Sequence, residues 1–147
     1  MIATVPASSN AAASLVALVV SANGCIDPRE VAELDRLHAF GRLDISRPRF
    51  LRLAEAALEE IGEELNRTHW LRLSHHSRLL DLQLAVRDPD LRLMVCRLAA
   101  AVITADGRVT GGERLVYSSL LGYWGISQDM VTQAIMCDGE GRPVRRT

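Results

Sequence analysis

The sequence predicts an all-α protein, and three observations support that prediction. Hydrophobic residues make up 48% of the 147 positions but aromatic residues only 4%, with Ala and Leu dominant, which favours helices over strands. Apolar residues recur at helical spacing along most of the chain. A turn followed by a helix start also occurs twice. This length suits one domain, expected at 9–137 between flexible tails at 1–8 and 138–147.

The apolar periodicity places about seven helices in a compact bundle. Their expected ranges are 10–22, 28–40, 47–65, 69–76, 77–87, 89–105 and 111–124, with a shorter helix at 128–137 if 69–87 forms one kinked helix. Asp27-Pro28 and Asp88-Pro89 are N-cap and first-turn pairs that start helices, and Ser127 is the N-cap of the last. The third helix has an apolar stripe on one face and glutamates on the other. We expect the glutamates to face solvent.

The repeated unit is the most specific feature of the sequence. Residues 22–30 align without a gap on residues 105–113, at a constant offset of 83 positions from Ala22 to Ala105. Each copy ends an apolar helix on Asn23-Gly24 or Asp106-Gly107, where glycine adopts a positive φ without steric cost. The chain therefore contains a duplicated helix-turn-helix unit.

A new helix begins just after each of these turns. In the first copy Asp27 is the N-cap, Pro28 follows it, and Glu30 stands at the third helical position. In the second copy Thr110 and Glu113 form a capping box. Helix capping alone therefore accounts for both glutamates without requiring a binding site.

Charge and cysteine usage exclude several classes of function. The formal net charge is -1, and the arginines are scattered among acids, so we expect neither nucleic-acid binding nor attraction to an anionic membrane. The apolar stretch 11–20 is too short to cross a bilayer and follows no basic residue, so direct membrane insertion is not expected. Three widely spaced cysteines suit a reducing, cytoplasmic environment.

No catalytic constellation is visible in the sequence. His69, His75 and His76 lie close together, but adjacent histidines point about 100° apart on a helix and no partner carboxylate is evident. A nucleophile elbow, a P-loop and a dinucleotide-binding glycine motif are absent. We therefore expect a protein that is not an enzyme.

The repeated turn offers one alternative, a divalent-cation site. Placed on an EF-hand loop, Asp106-Gly107 occupies the fifth and sixth positions and Glu113 the twelfth, but the leading carboxylates are missing. Two turns packed together would offer a cation more oxygen ligands than either turn alone. The candidate ligands are Asn23, Asp27, Glu30, Asp106 and Glu113. No other cofactor is expected.

The segment Ala105-Asp106-Gly107-Arg108-Val109-Thr110-Gly111-Gly112-Glu113 resembles the signature of TerB-like proteins, which include the tellurite-resistance TerB family and the central domain of the DjlA co-chaperone. The resemblance covers about residues 10–137. It implies a bundle of about seven helices with internal pseudo-symmetry, a role in bacterial stress response, and a divalent cation held at Asp106 and Glu113. Asn23 in place of Asp and the pair Gly111-Gly112 depart from the family pattern.

Two functional hypotheses follow from these features. The first is a non-catalytic TerB-like interaction module that docks an unidentified protein partner. The second is a cation-binding protein that depends on Asp106 and Glu113.

Overall fold

The fold is helical throughout the part of the chain that the computed structural model describes, residues 7–22, 24–68, 73–105, 107 and 111–139, which contains no strand. The helices are α1 (Ala7–Ser21), α2 (Pro28–Arg36), α3 (Ala39–Arg42), α4 (Arg47–Ala57), α5 (Glu63–Thr68), α6 (Leu73–Ala85), α7 (Pro89–Thr104), α8 (Gly111–Trp124) and α9 (Gln128–Gly139). A π-helical segment, Leu58–Gly62, joins α4 to α5. None of the described helices is long and apolar enough to cross a membrane.

Helix α1 lies at the centre of the bundle. Its side chains are apolar on almost every face, and those from Leu15 to Val20 are all buried. A helix with apolar residues all round is stable only when neighbours cover it on several sides. Here α4, α6, α7 and α8 all pack against α1. The two helices that precede the repeated turns, α1 and α7, therefore contact each other in the core.

Three of the predicted helix starts are confirmed by side-chain caps. Asp27 accepts a hydrogen bond from the backbone N–H of Arg29 at 2.9 Å, which starts α2. Asp88 accepts one from the N–H of Asp90 at 3.1 Å, which starts α7. Ser127 accepts one from Met130 at 3.2 Å before α9. Thr110, the predicted cap of α8, lies outside the described residues.

Two predicted helix boundaries are wrong. The helix expected at 28–40 is interrupted after Arg36, because His38 adopts a left-handed conformation with φ of 59° before α3 begins. The break predicted between residues 76 and 77 falls inside α6, which contains neither Gly nor Pro to end it. The alternative prediction, one helix in this region and a further helix near 128–137, agrees with α6 and α9. Residues 69–72 lie outside the described residues. At its edges, the helical part extends slightly beyond 9–137, from Ala7 to Gly139.

Candidate functional site

The two turns share two backbone features at their described residues. Gly24 has a φ of 88° and Gly107 a φ of 78°, both in the left-handed region that glycine enters freely. The N–H of Gly24 donates to the carbonyl of Ser21 at 3.1 Å, and that of Gly107 donates to Thr104 at 3.2 Å. These residues stand at equivalent positions of the two copies. The predicted helix stop on glycine is therefore confirmed in both.

The glutamates that follow the turns are fully buried. Glu30 on α2 and Glu113 on α8 both have 0% relative exposure. Burial of a carboxylate is costly, and the hydrogen bonds of a capping box do not require the glutamate to be buried. Capping alone therefore does not explain their positions. The sequence carried one signal of this burial, the helical spacing from Glu30 to Leu34 and from Glu113 to Val116 and Leu120, all buried apolar residues.

Asp27, another predicted ligand, is engaged in local interactions. The Asp27 carboxylate accepts from the backbone N–H of Arg29 and also lies 3.0 Å from the Arg29 guanidinium. The Asp27 side chain is only 12% exposed. The other two predicted ligands, Asn23 and Asp106, lie outside the described residues. Among the described residues, which include Asp27, Glu30 and Glu113, no group of three or more His, Cys, Asp or Glu is placed to hold a metal ion. The pooled site of five ligands stays a prediction.

The histidine cluster differs from expectation at one position. Nδ1 of the half-buried His75 lies 3.9 Å from Oε1 of Glu64, although the sequence suggested no partner carboxylate. Arg78 of the same helix lies 3.8 Å from Glu60 of the π-helical segment. His76 is exposed and His69 lies outside the described residues. These contacts connect α6 to the α4–α5 region, which gives His75 a structural role.

A grooved face of the molecule was not predicted from the sequence. Helix α7 packs between α2 and α9, and two grooves run along these contacts. One of about 260 Å³ is lined by residues of α2, α7 and α9, including Glu33 and Arg36. The other, of about 370 Å³, includes Arg42 and Asp90. Arg97 lines both grooves although it is only 5% exposed.

The electrostatics of this face centre on Glu33. Arg36 donates to the Glu33 carboxylate through both Nε and a terminal guanidinium nitrogen. These hydrogen bonds hold the pKa of Glu33 below its usual value, with the positive charges of Arg36 and Arg97 acting in the same direction and partial burial opposing them. Glu33 is thus ionised and matched by arginine at neutral pH.

The cysteines fall into two classes. Cys25 and Cys137 are exposed, whereas Cys96 is buried in α7. Burial raises the pKa of the Cys96 thiol to about 12, so this thiol stays protonated at neutral pH and is a poor nucleophile. Cys96 therefore serves as a small apolar core residue.

Searches of family models, curated proteins and solved structures found no match to this chain.

Proposed function

We propose that this chain is a non-catalytic TerB-like interaction module, a component of a bacterial stress response of the tellurite-resistance type that docks a protein partner. The observation that carries the proposal is the pair of equivalent turns. Each has a glycine of positive φ, Gly24 or Gly107, followed six residues later by a fully buried glutamate, Glu30 or Glu113. This pairing supports the duplicated unit on which the resemblance rests.

The packing of the helices supports the same proposal. Helix α2 of the first unit packs against α7 of the second, and α8 of the second packs against α1 of the first. The second helix of each unit thus contacts the first helix of the other. Pseudo-twofold packing of a duplicated unit requires these reciprocal contacts.

Surface composition supports docking of a protein partner. Large apolar side chains are exposed on α6 and α9, with Leu73 83% exposed and Met136 62% exposed. Leu80 and Leu84 extend the exposed apolar side of α6 at helical spacing. Clustered apolar side chains on a surface favour protein association.

The proposal is tested in a bacterium that carries this chain. A deletion strain is compared with strains that regain the wild-type chain or a variant with Leu80→Glu and Leu84→Glu, in growth with and without tellurite. We expect the deletion to sensitise the cells to tellurite and the wild-type chain to restore growth. The wild-type chain should also migrate in native gels as a complex larger than the isolated protein. Unchanged sensitivity together with migration as the isolated chain would contradict the proposal.

A second candidate function is the binding of a divalent cation at the turns. The observation that favours it is the burial of two carboxylates, Glu30 and Glu113, at equivalent positions. A cation present at a hundred times its Kd stabilises the fold by about 2.7 kcal/mol. Thermal unfolding of the wild-type chain and of Asp106→Ala with Ca²⁺, Mg²⁺ or Zn²⁺ tests this candidate. It requires a stabilisation that Asp106→Ala abolishes, and no shift with any of the ions contradicts it.

A further inference from the structure

We infer that the exposed face of α6 pairs with the same face of a second copy of this chain, with the two α6 helices parallel. The face consists of Leu73, Ser77, Leu80 and Leu84, all exposed, and is called the α6 seam below. This inference rests on the proposed interaction function and names the partner of one surface. It is tested with the purified chain, so that the inference and the proposed function can fail separately.

The α6 seam has the spacing of a coiled-coil contact. Its residues follow each other at intervals of four, three and four positions, which correspond to alternating d and a positions of a heptad repeat. Leu73 is 83% exposed, Leu84 49% and Leu80 39%. Leucines at such positions pack between two helices, and the small side chain of Ser77 fits between them as well. The seam therefore suits a second helix.

The opposite face of α6 is held by the rest of the fold. Leu79 and Gln83 are buried, and α6 packs against α1 and α8. The side chain of Gln83 donates to the backbone carbonyl of Ser119 at 3.3 Å, and the backbone carbonyl of Gln83 accepts from Trp124 at 3.1 Å. These contacts fix the rotation of α6, so the seam is directed outward.

The side chains that flank the seam are complementary between two parallel copies. His76 lies along one edge at a g position and Asp81 along the other edge at an e position, and both are exposed. In a parallel pair, a g residue faces the e residue of the next heptad in the other helix. His76 of each copy would therefore face Asp81 of the other, since a twofold axis repeats every contact.

This complementarity favours a second copy over other occupants. Within the described part of the chain, the side chains of His76 and Asp81 make no hydrogen bond or ion pair, so both can serve a contact between copies. A different protein would need its own base and acid at matching places, whereas a second copy supplies both. Antiparallel helices would bring like edges together, with His76 near His76 and Asp81 near Asp81. Parallel self-association is the arrangement that pairs them.

The size of the contact implies a reversible dimer. Helix α6 has 13 residues and is about 20 Å long. A single pair of helices of this length buries less surface than the interfaces of permanent dimers do. We therefore expect a dimer that dissociates on dilution.

Sedimentation velocity of the purified full chain over a range of concentrations measures this association. We expect the mass to rise from that of one chain to that of two. Leu80→Glu should raise the dissociation constant about tenfold or more. Met136→Glu is the matched control, because Met136 is an apolar residue of α9 that is 62% exposed, and it should leave the dissociation constant within about twofold. Circular dichroism verifies that each variant is folded.

A charge reversal tests the flanking contact. Asp81→Arg should weaken dimerisation about fivefold, and addition of His76→Glu should restore it to within about twofold of the wild type. Glu55→Arg, at an exposed position of α4, changes the net charge as Asp81→Arg does and should have no effect. Rescue by the second substitution would not follow from a loss of stability alone.

Cysteine cross-linking tests the orientation of the helices. Cys25→Ser and Cys137→Ser first remove the exposed thiols. In that background, mild oxidation should link two copies that carry Ser77→Cys, because this position meets itself across a parallel seam. Ser74→Cys, at the outer edge of the same helix, should not form the link.

A chain that stays monomeric at every concentration would overturn the inference. Equal losses in Leu80→Glu and Met136→Glu would overturn it as well, and so would a dimer that Ser77→Cys does not cross-link. A monomeric purified chain together with a larger cellular complex that Leu80→Glu abolishes would assign the seam to a different protein and leave the proposed function in place. A dimer that behaves as expected, in cells whose tellurite sensitivity does not depend on the chain, would support the inference while contradicting the proposed function.

Discussion

The two turns share a glycine of positive φ but differ in how the following helix packs. Gly112, at the start of α8, lies so close to the end of α1 that an added Cβ would clash with the carbonyl oxygen of Ala22. Its equivalent in the first copy is Arg29, whose side chain is 62% exposed and pairs with Asp27. The second copy thus brings α8 against α1 by removing a side chain, whereas the first leaves the same position in solvent.

The difference shows that equivalent turns can have unequal roles in the bundle. Two glycines in succession, Gly111-Gly112, weaken the first turn of a helix, but at Gly112 the close packing against the end of α1 requires a residue without a side chain. Local conformation is therefore shared between the copies, whereas close packing is confined to one of them. Substitutions at Gly112, Gly107 and Gly24 separate these two contributions.

The largest effect is expected for Gly112→Ala. The added methyl group would clash with backbone, which cannot move as a side chain can, so we expect a loss of about 3 kcal/mol in the free energy of unfolding. Gly122→Ala in the same helix is the matched control, because nothing lies within 4 Å of its added Cβ. That variant should gain about 0.5 kcal/mol from helix propensity. Urea denaturation measures both, and equal values would refute the close contact.

Gly107→Ala tests the conformation of the turn without a clash. No atom lies within 4 Å of the added Cβ, but the φ of 78° strains any L side chain, which costs about 1.5 kcal/mol. Gly24→Ala should lose a similar amount, because its φ is 88°. Gly41→Ala, in open space without a positive φ, serves as the control. A loss at Gly107 with none at Gly24 would show that the turns are not equivalent in energy.

The N-cap of the first unit makes a smaller contribution. Asp27→Ala removes the acceptor of the Arg29 N–H and should lower the free energy of unfolding by about 1 kcal/mol. Asp27→Asn keeps an acceptor at the cap and should retain most of that stability. Chemical denaturation of the two variants compares them. If both lose the same amount, the ionic contact with Arg29 matters more than the cap.

The smallest effect is a pH dependence at Glu33. Its folded pKa is lowered from the ordinary value of 4.5, so its stabilisation is complete above that value and is lost as pH falls through the folded pKa. Glu33→Gln should therefore be slightly less stable than the wild-type chain at neutral pH, with the difference vanishing in acid. Thermal unfolding over this pH range measures the difference. In an Arg36→Ala background the difference should largely disappear, and its persistence would assign the pKa shift to another group.

The features that the sequence predicted correctly depend on residues that are close together in the chain. Asp27, Asp88 and Ser127 bond to backbone N–H groups two or three positions away, and Gly24 and Gly107 need only a local conformation. Such signals are contained in a few consecutive residues. The helical class followed for the same reason.

What the sequence did not predict depends on contacts between distant segments. Burial of Glu30 and Glu113 requires the packing of α2 on α7 and of α8 on α1. The nearly complete burial of Arg97 likewise arises where α2 and α9 cover α7. Helical spacing placed both glutamates in line with apolar residues, but the local capping pattern offered a simpler explanation.

The two turns, each with a glycine of positive φ, are expected to stabilise the bundle to a similar extent and independently of each other. Urea denaturation of the full chain with Gly24→Ala, with Gly107→Ala and with both substitutions together tests this most directly. We expect each single substitution to lower the free energy of unfolding by about 1.5 kcal/mol, and the double substitution to lower it by about the sum of the two losses. A loss in one single variant with none in the other would contradict it.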